Sequence, residues 1–151
     1  MIYVDTREKK NLHIIRYFQR NNIPYRVKKL DECDYAGSQN NVLIERKQNL
    51  AELAYNITCE NGRRIKAEFD RIPEGKKVYV LIEEMMDSLD AVVNWKGKYT
   101  KLHGATLYRY MVSYQRRHGF EYIFCHKNSS GRIIAELLGE EAVKHGKEPE
   151  R

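Results

Sequence analysis

The chain has 151 residues, enough for one domain with a sizeable core, and its 42% hydrophobic and 32% charged residues are typical of a folded protein rather than a disordered one. The net charge of +6 and the pI of about 9.2 favour a polyanionic partner such as nucleic acid, and the short apolar runs exclude a membrane-spanning helix. Three widely spaced cysteines (Cys33, Cys59 and Cys125) and a first segment without signal-peptide layout predict a reducing, cytoplasmic location.

Apolar periodicity predicts strands that alternate with helices along the chain. The first helix is predicted in 9–20, where Leu12, Ile15 and Phe18 recur at helical spacing. The predicted strands are 2–4, 23–27, a hairpin formed by 35 and 42–44, then 78–82 and 122–125. The further predicted helices are 49–58, 61–72, 85–93, 107–114 and 133–138.

The run Val78–Ile82 is almost entirely apolar, which is typical of a strand buried on both faces between covering helices. Together with the alternation of elements, this predicts an α/β domain with a central mixed β-sheet flanked by helices. We expect this domain to occupy residues 1–143 and a polar C-terminal tail to occupy 144–151.

The predicted strand Val42–Lys47 ends on three consecutive charges. Because side chains alternate along a strand, Glu45 and Lys47 point to one face and Arg46 points to the other. A purely solvated edge would not need apolar residues on both faces leading into it. The charged end of this strand is therefore a candidate active site.

A second carboxylate is predicted across the hairpin. If the hairpin is symmetric about Gln39 and Asn40, Asp34 lies opposite Glu45, with β-carbons about 5 Å apart. Two carboxylates this close repel each other, and a hard divalent cation such as Mg²⁺ resolves the conflict. Lys47, on the same face, would then hold an attacking water or a phosphate oxygen, which is a layout for metal-assisted phosphodiester hydrolysis.

A simpler interpretation of the same residues stays open. Asp34 can equally pair with Lys47 or with Lys28 as a surface salt bridge, because charged residues at strand ends are common.

The chain also carries a set of motifs in a recognisable order. It resembles the XPF/Mus-type nuclease domain, whose pattern is V-D-x-R-E, then G-D-Y, then E-R-K-x-x-x-D-L. The matching segments are Val4-Asp5-Thr6-Arg7-Glu8, Asp34-Tyr35, Ile44-Glu45-Arg46-Lys47, Asn61-Gly62-Arg63 and Val80-Leu81-Ile82-Glu83. The later part of the chain is similar to compact bacteriophage or prophage members, which lack a helix-hairpin-helix domain.

The resemblance implies a fold, an activity and a cofactor. The fold is the three-layer restriction-endonuclease-like, or PD-(D/E)XK-like, α/β fold. The activity is an endonuclease that cleaves DNA at branched, flapped or forked structures and leaves a 5′ phosphate and a 3′ hydroxyl. The cofactor is Mg²⁺, for which Mn²⁺ substitutes.

The resemblance also implies a role for each matching residue. Asp34 and Glu45 would be the main metal ligands, with Asp5 as a further ligand, and Asp5 and Glu8 would line the same site. Lys47 would position water or phosphate. Arg46 would orient Glu8 or Asp5 from behind the site, or would touch phosphate. The catalytic set is thus Asp5, Glu8, Asp34, Glu45, Arg46 and Lys47.

Two positions depart from the family pattern. Cys33 stands where the family has glycine, a residue that allows close approach of backbone. The aspartate after E-R-K falls on Ala51. Glu52 would replace that aspartate with a one-residue shift, although it also has the spacing of the capping-box partner of Asn49.

Basic residues outside the catalytic set are candidates for DNA contacts, and they are Arg7, Arg63, Arg64, Lys66, Lys96, Lys98 and Lys101. Arg63 matches the family's Gly-Arg, whereas Arg64 can instead pair with Glu68 at i,i+4. The loop that begins at Trp95 can stack on bases or can simply anchor itself by that ring.

The leading hypothesis is therefore a Mg²⁺-dependent endonuclease, and the alternative is a non-catalytic DNA-binding or scaffold domain with the same fold. Cys125 and His126 lack zinc-site spacing, and no glycine-rich loop predicts a nucleotide cofactor. The helices at 107–114 and 133–138 are candidates for a homodimer surface, but packing in the core explains them equally well.

Overall fold

A computed structural model describes residues 1–38, 41–98 and 102–140. Its strands are β1 (Ile2–Asp5), β2 (Tyr25–Lys28), β3 (Tyr35–Gly37), β4 (Val42–Lys47), β5 (Lys77–Ile82) and β6 (Glu121–Phe124). Its α-helices are α1 (Leu12–Arg20), α2 (Leu50–Thr58), α3 (Arg63–Asp70), α4 (Gly104–His118) and α5 (Ser130–Leu137). Short 3₁₀ turns lie at Cys59–Gly62, Leu89–Asn94 and Lys127–Ser129.

The strands form one mixed sheet in the order β2-β1-β3-β4-β5-β6. The β1–β3 and β3–β4 pairs are antiparallel, and the β1–β2, β4–β5 and β5–β6 pairs are parallel. The prediction of an α/β domain with a central mixed sheet is confirmed. Parallel pairing places the carboxyl ends of β4, β5 and β6 at the same edge, where Lys47 pairs with Ile82 and Ile82 pairs with Phe124.

Each face of the sheet carries its own hydrophobic core. One core joins the sheet to α2, α3 and α4, and its members include Leu43, Leu53, Ile65, Phe69, Val80, Leu107 and Met111. The other core joins the sheet to α1 and α5, and its members include Val4, Ile14, Phe18, Tyr35, Ile44, Leu81 and Ile134. Leu43 and Ile44 lie in different cores, so β4 is apolar on both faces as its sequence predicted.

The structure corrects the predicted buried face of α1. Ile14 and Phe18 are fully buried, whereas Leu12 at the first position is 56% exposed. Ile14 and Phe18 are four residues apart and define the inward stripe, so Leu12 falls on the solvent side of the first turn.

Two other predicted regions differ from the structure or lie outside it. The helix predicted at 85–93 is a 3₁₀ turn over Leu89–Asn94. The hairpin tip at Gln39 and Asn40 and the tail at 144–151 lie outside the described residues.

Within 1–38, 41–98 and 102–140, no helix is long and apolar enough to span a bilayer. The three cysteines are free thiols, and Cys125 is buried.

Candidate active site

The β3–β4 hairpin brings Asp34 and Glu45 together. Tyr35 pairs with Ile44 and Ala36 pairs with Leu43, so the next opposed pair in this register is Asp34 and Glu45. The Asp34 backbone N–H donates to the Ile44 carbonyl at 2.9 Å. The predicted symmetric register is thus confirmed for these two pairs, whereas Asp34, one residue before β3, bonds to Ile44 rather than to Glu45. Asp34 and Glu45 nevertheless line the same cleft.

Cys33 has a positive φ of 63°, in the left-handed region that favours glycine. This is the position at which the nuclease domains resembled here carry glycine. In this chain the position therefore has the backbone conformation that glycine adopts most readily. An L-residue in this region is strained by about 1–2 kcal/mol. Cys33 remains compatible with the turn, since Asp34 and Tyr35 still enter β3 in register.

Asp34 and Glu45 line a cleft of about 180 Å³ that is rich in acidic side chains. Its wall is formed by Asp5, Arg7, Asp31, Glu32, Cys33, Asp34, Glu45, Glu68, Phe69, Arg71 and Ile72. Burial, followed by the charges of Glu45 and Glu8, raises the pKa of Asp34 well above its ordinary value. Burial also raises the pKa of Glu45, against the opposing effect of Lys47. Two carboxylates that resist ionisation side by side favour a cation between them.

Lys47 lies on the same face of β4 as Glu45. Its Nζ donates to Asn56 Oδ1 at 2.8 Å and is 3.2 Å from Glu45 Oε2. Burial alone would lower the pKa of Lys47, but the charges of Glu45, Glu52 and Asp34 outweigh it and raise that pKa. Lys47 is therefore a buried, protonated cation at the edge of the acidic pair.

These contacts answer the simpler interpretation of Asp34. Lys47 pairs with Glu45, and both side chains are largely buried, at 8% and 14% exposed. Lys28 lies over the Tyr3 ring at 4.6 Å. Within the described residues Asp34 has no salt bridge to either lysine.

Arg46 points to the opposite face of the sheet and is 2% exposed. Its Nε donates to Glu8 Oε2 at 2.6 Å, its Nη1 to Glu83 Oε1 at 2.7 Å and its Nη2 to the Lys9 carbonyl at 2.7 Å. Its backbone N–H donates to Asp34 Oδ2 at 2.8 Å. Of the predicted roles, the structure supports orientation of Glu8 from behind the sheet, since burial keeps this guanidinium away from phosphate.

Glu8 is held on the Arg46 side of the sheet. Besides Arg46, it accepts a hydrogen bond from the Tyr35 hydroxyl at 2.6 Å. The predicted lining of the metal cleft by Glu8 is wrong, because both of these donors lie behind β4 and the cleft is formed by other residues. Glu8 still acts on the cleft through its charge, which contributes to the raised pKa of Asp34.

Asp5 lines the cleft but is already bound by protein donors. It accepts hydrogen bonds from the Leu30 N–H at 2.8 Å and from Arg7 Nε at 2.9 Å. Burial would raise the pKa of Asp5, but the hydrogen bonds from Arg7 and Leu30 outweigh it and lower that pKa. A metal role for Asp5 stays a prediction, and it requires the cation to compete with Arg7.

The hydrogen bonds at the start of α2 show that Glu52 caps the helix rather than replacing the motif aspartate. Asn49 Oδ1 accepts the Glu52 N–H at 2.8 Å, and Glu52 Oε1 accepts the Gln48 N–H at 2.7 Å. Glu52 is therefore a capping residue, although the N–H it accepts belongs to Gln48 rather than to the N-cap itself. Ala51 is exposed and offers no ligand atom.

The predicted DNA contacts are spread over several elements. Arg63, Arg64, Lys66, Lys96 and Lys98 are exposed, and Lys101 lies outside the described residues. Lys66 pairs with Asp70 at 2.8 Å, and Arg7 is drawn to Asp5 while its side chain stays 65% exposed. Arg63 opens α3 behind Gly62, which has a left-handed φ of 73°.

The described part of the chain contains no group of three His, Cys, Asp or Glu residues close enough to hold a metal together. Mg²⁺ is commonly bound by only one or two carboxylates and keeps several waters. A pair of partly buried carboxylates with raised pKa values fits that donor set. Asp34 and Glu45 therefore fit a hydrated divalent cation better than a fully protein-enclosed one.

Sequence reasoning placed Glu83 in a motif segment without giving it a role, and it missed Asn56. Glu83 Oε2 accepts from the Ser130 hydroxyl at 2.6 Å and lies 2.7 Å from His13 Nε2, in addition to the Arg46 contact. The sequence signal that could have indicated a role for Glu83 is its position directly after β5, the strand that pairs with β4. Asn56, on α2, had no local signal, because its contact with Lys47 depends on how the helix packs.

The comparisons with known proteins agree with this architecture. Residues 4–137 match the family model described as ERCC4 domain. The chain belongs to this family, and its resemblance to XPF/Mus-type nuclease domains is confirmed. No curated protein sequence matches the chain.

Two solved structures share the fold. XPF from Aeropyrum pernix is similar with a TM-score of 0.70 and 18% identity, over 99% of this chain and 68% of that one. XPF from Aeropyrum pernix in complex with DNA is similar with a TM-score of 0.69 and 19% identity, over 91% of this chain and 62% of that one. The restriction-endonuclease-like fold predicted from the motifs is thereby confirmed.

Proposed function

We propose that the chain is a metal-dependent DNA endonuclease that hydrolyses phosphodiester bonds at branched, flapped or forked DNA. The observation that carries this proposal is the partly buried Asp34–Glu45 pair that lines the cleft, with its raised pKa values, beside the protonated Lys47. Membership of the ERCC4 domain family supports the nuclease class. DNA as the partner is supported by the net charge of +6 and by the DNA in one of the similar structures.

Asp34 and Glu45 would hold Mg²⁺, or Mn²⁺ in its place, from opposite strands of one hairpin. When bound, the cation polarises the phosphate and lowers the pKa of its water. Asp34 has one carboxylate oxygen committed to the Arg46 N–H, which fixes the orientation of the other. Glu45 is steadied by Lys47 at 3.2 Å.

Lys47 would place its positive charge on a phosphate oxygen or on the attacking water. Its Nζ carries three protons, and Asn56 and Glu45 account for two directions of contact. The third donor would turn to substrate from beside the cleft, because Lys47 is 8% exposed and contacts the cleft-lining Glu45. Asn56 then acts as a positioning residue through Lys47.

Arg46, Glu8 and Glu83 would support the site without touching DNA. Arg46 joins β4 to both glutamates behind the sheet, and its own backbone binds Asp34. Because contacts on both faces of the sheet hold the charged end of β4, Glu45 and Lys47 keep fixed positions. Such preorganised electrostatics is what metal-assisted hydrolysis requires of the protein.

The test is cleavage of flap, fork, four-way and linear DNA by the purified chain with Mg²⁺, with Mn²⁺ or with EDTA. We expect cleavage that depends on the divalent ion and that falls by at least about a hundredfold in Asp34→Asn and in Lys47→Met. Equal cleavage by wild type and both variants would contradict the catalytic assignment. Salt-dependent DNA binding without cleavage under any ion would favour the non-catalytic DNA-binding domain instead.

A homodimer is a separate proposal, tested by gel filtration of the same sample. The apolar residues of α4 and α5 that suggested it, such as Leu107, Met111 and Ile134, are buried in the single chain. Core packing therefore accounts for them, and Tyr110, which is 44% exposed, is left as the aromatic residue that α4 offers to a second copy.

A further inference from the structure

Glu68 is an acidic side chain of the cleft that neither the motifs nor the mechanism uses. It lies on α3, next to Phe69, whose ring is buried in the core against Tyr114 and Phe120. Both Phe69 and Glu68 line the cleft together with Asp34 and Glu45. The packing of Phe69 thus fixes the segment of α3 from which Glu68 reaches the site.

Glu68 has no ion pair or side-chain hydrogen bond to any residue in the described ranges. The i,i+4 pair with Arg64, which the sequence left open as an alternative, is not among the ion pairs within the described ranges. The neighbouring Lys66 is taken by Asp70 at 2.8 Å. Glu68 thus adds a further negative charge beside the partly buried Asp34 and Glu45, which favours a cation in the cleft.

The negative charge of Glu68 changes the pKa values of other side chains in the cleft. It adds to the effect of burial in raising the pKa of Glu45. Together with Glu45, Asp34 and Glu32, it also raises the pKa of the Cys33 thiol. It also adds to the effect of Asp5 in raising the pKa of Arg7. Glu68 therefore belongs electrostatically to the site, although it comes from a helix outside the motif strand.

Ala51 lacks the carboxylate that its position in the motif would carry, and Glu52 is committed to capping α2. We propose that Glu68 supplies this missing acidic group from α3, as a positioning residue that accepts a hydrogen bond from water on the divalent cation held by Asp34 and Glu45. The inference rests on the proposed metal site. A water-mediated contact agrees with the absence of three ligating side chains in the described ranges, because a hydrated Mg²⁺ needs acceptors for its waters as well as direct ligands.

The test is calorimetric titration of the full chain with Mn²⁺ alone, without DNA. We expect Glu68→Gln to weaken Mn²⁺ binding by about tenfold, the size of effect typical of outer-shell partners. The matched control is Glu74→Gln, which removes the same charge from an exposed residue that does not line the cleft, and we expect it to stay within about twofold of wild type.

Asp34→Asn in the same series separates the two proposals. If Asp34→Asn abolishes Mn²⁺ binding and Glu68→Gln binds as wild type does, the metal site stands and the role of Glu68 is overturned. If the wild type binds no Mn²⁺, both proposals are overturned. Thermal unfolding of each variant in EDTA checks that Glu68→Gln folds, and a purely structural role would lower that stability without changing the Mn²⁺ affinity.

Discussion

Replacement of Asp34 by asparagine should stabilise the metal-free protein near neutral pH. The amide keeps an oxygen to accept the Arg46 N–H, now 2.8 Å from Asp34 Oδ2, and removes the charge that opposes Glu45. Two unit charges about 5 Å apart repel by about 3 kcal/mol at an effective dielectric constant of about 20. Lys47, 3.2 Å from Glu45, offsets part of this repulsion. We therefore expect the free energy of unfolding to rise by about 1–2 kcal/mol, and the melting temperature by about 2–8 °C.

The pH dependence of this difference has a defined sign. The folded-state pKa of Asp34 is raised above its unfolded value, so the folded protein binds this proton more tightly. Protonation of Asp34 therefore raises the free energy of unfolding of the wild type as the pH falls from the folded-state pKa towards the unfolded value of about 4. The advantage of Asp34→Asn should be largest at the alkaline end and should shrink towards about pH 4.

The assay is urea unfolding of both proteins in EDTA at pH 8, 7, 6 and 5, with Asp87→Asn, an exposed loop residue, as the matched control. Divalent ion should reverse the order of stability. At a hundred times its dissociation constant, Mn²⁺ should stabilise the wild type by about 2.7 kcal/mol and leave Asp34→Asn nearly unchanged. The reasoning is refuted if Asp34→Asn is less stable than wild type in EDTA at pH 8, or if their difference does not vary with pH.

Three further predictions concern the turn, the buried network and DNA. Cys33→Gly should be more stable than Cys33→Ala by about 1 kcal/mol in urea, since only glycine relieves the positive φ, and equal stability would argue against strain there. Glu83→Gln should lower the free energy of unfolding by about 3 kcal/mol because it leaves Arg46 with one carboxylate, whereas Lys66→Gln, which breaks an exposed pair, should cost under about 1 kcal/mol. Arg63→Gln should weaken DNA binding and reduce the slope of log affinity against log salt by about 1, and an unchanged slope would remove Arg63 from the interface.

The sequence predicted the hairpin and its carboxylate pair because both depend on local geometry. Alternation along Val42–Lys47 separates Arg46 from Glu45 and Lys47, and this separation holds whatever packs on the sheet. The register of Tyr35 with Ile44 agrees with the symmetric hairpin predicted from the sequence, and Asp34 and Glu45, just beyond that pair, line the same cleft. The burial of β5 could also be predicted from its own residues, because a strand that is apolar on both faces must be covered on both faces.

The remaining contacts depend on how distant elements dock. Glu83 reaches Arg46 because β5 returns parallel to β4 after α2 and α3, in a register that side-chain alternation cannot specify. Asn56 meets Lys47, and Glu68 meets the cleft, through the packing of two helices against one face of the sheet. The motif order assigned Glu8 to the cleft, but position along the chain cannot distinguish the two faces of a sheet at a loop residue that follows β1.

Arg46 explains why a charged triplet, rather than two separate acidic and basic residues, ends β4. Its backbone N–H binds Asp34, and its guanidinium binds Glu8 and Glu83 behind the sheet. One residue therefore connects the second carboxylate of the pair to a buried network on the opposite face. Lysine, with a single ammonium, could not contact both glutamates and the Lys9 carbonyl in this planar arrangement. The middle residue of the triplet thus holds the strand in place, while Glu45 and Lys47 lie on the other face of β4, where Glu45 lines the cleft.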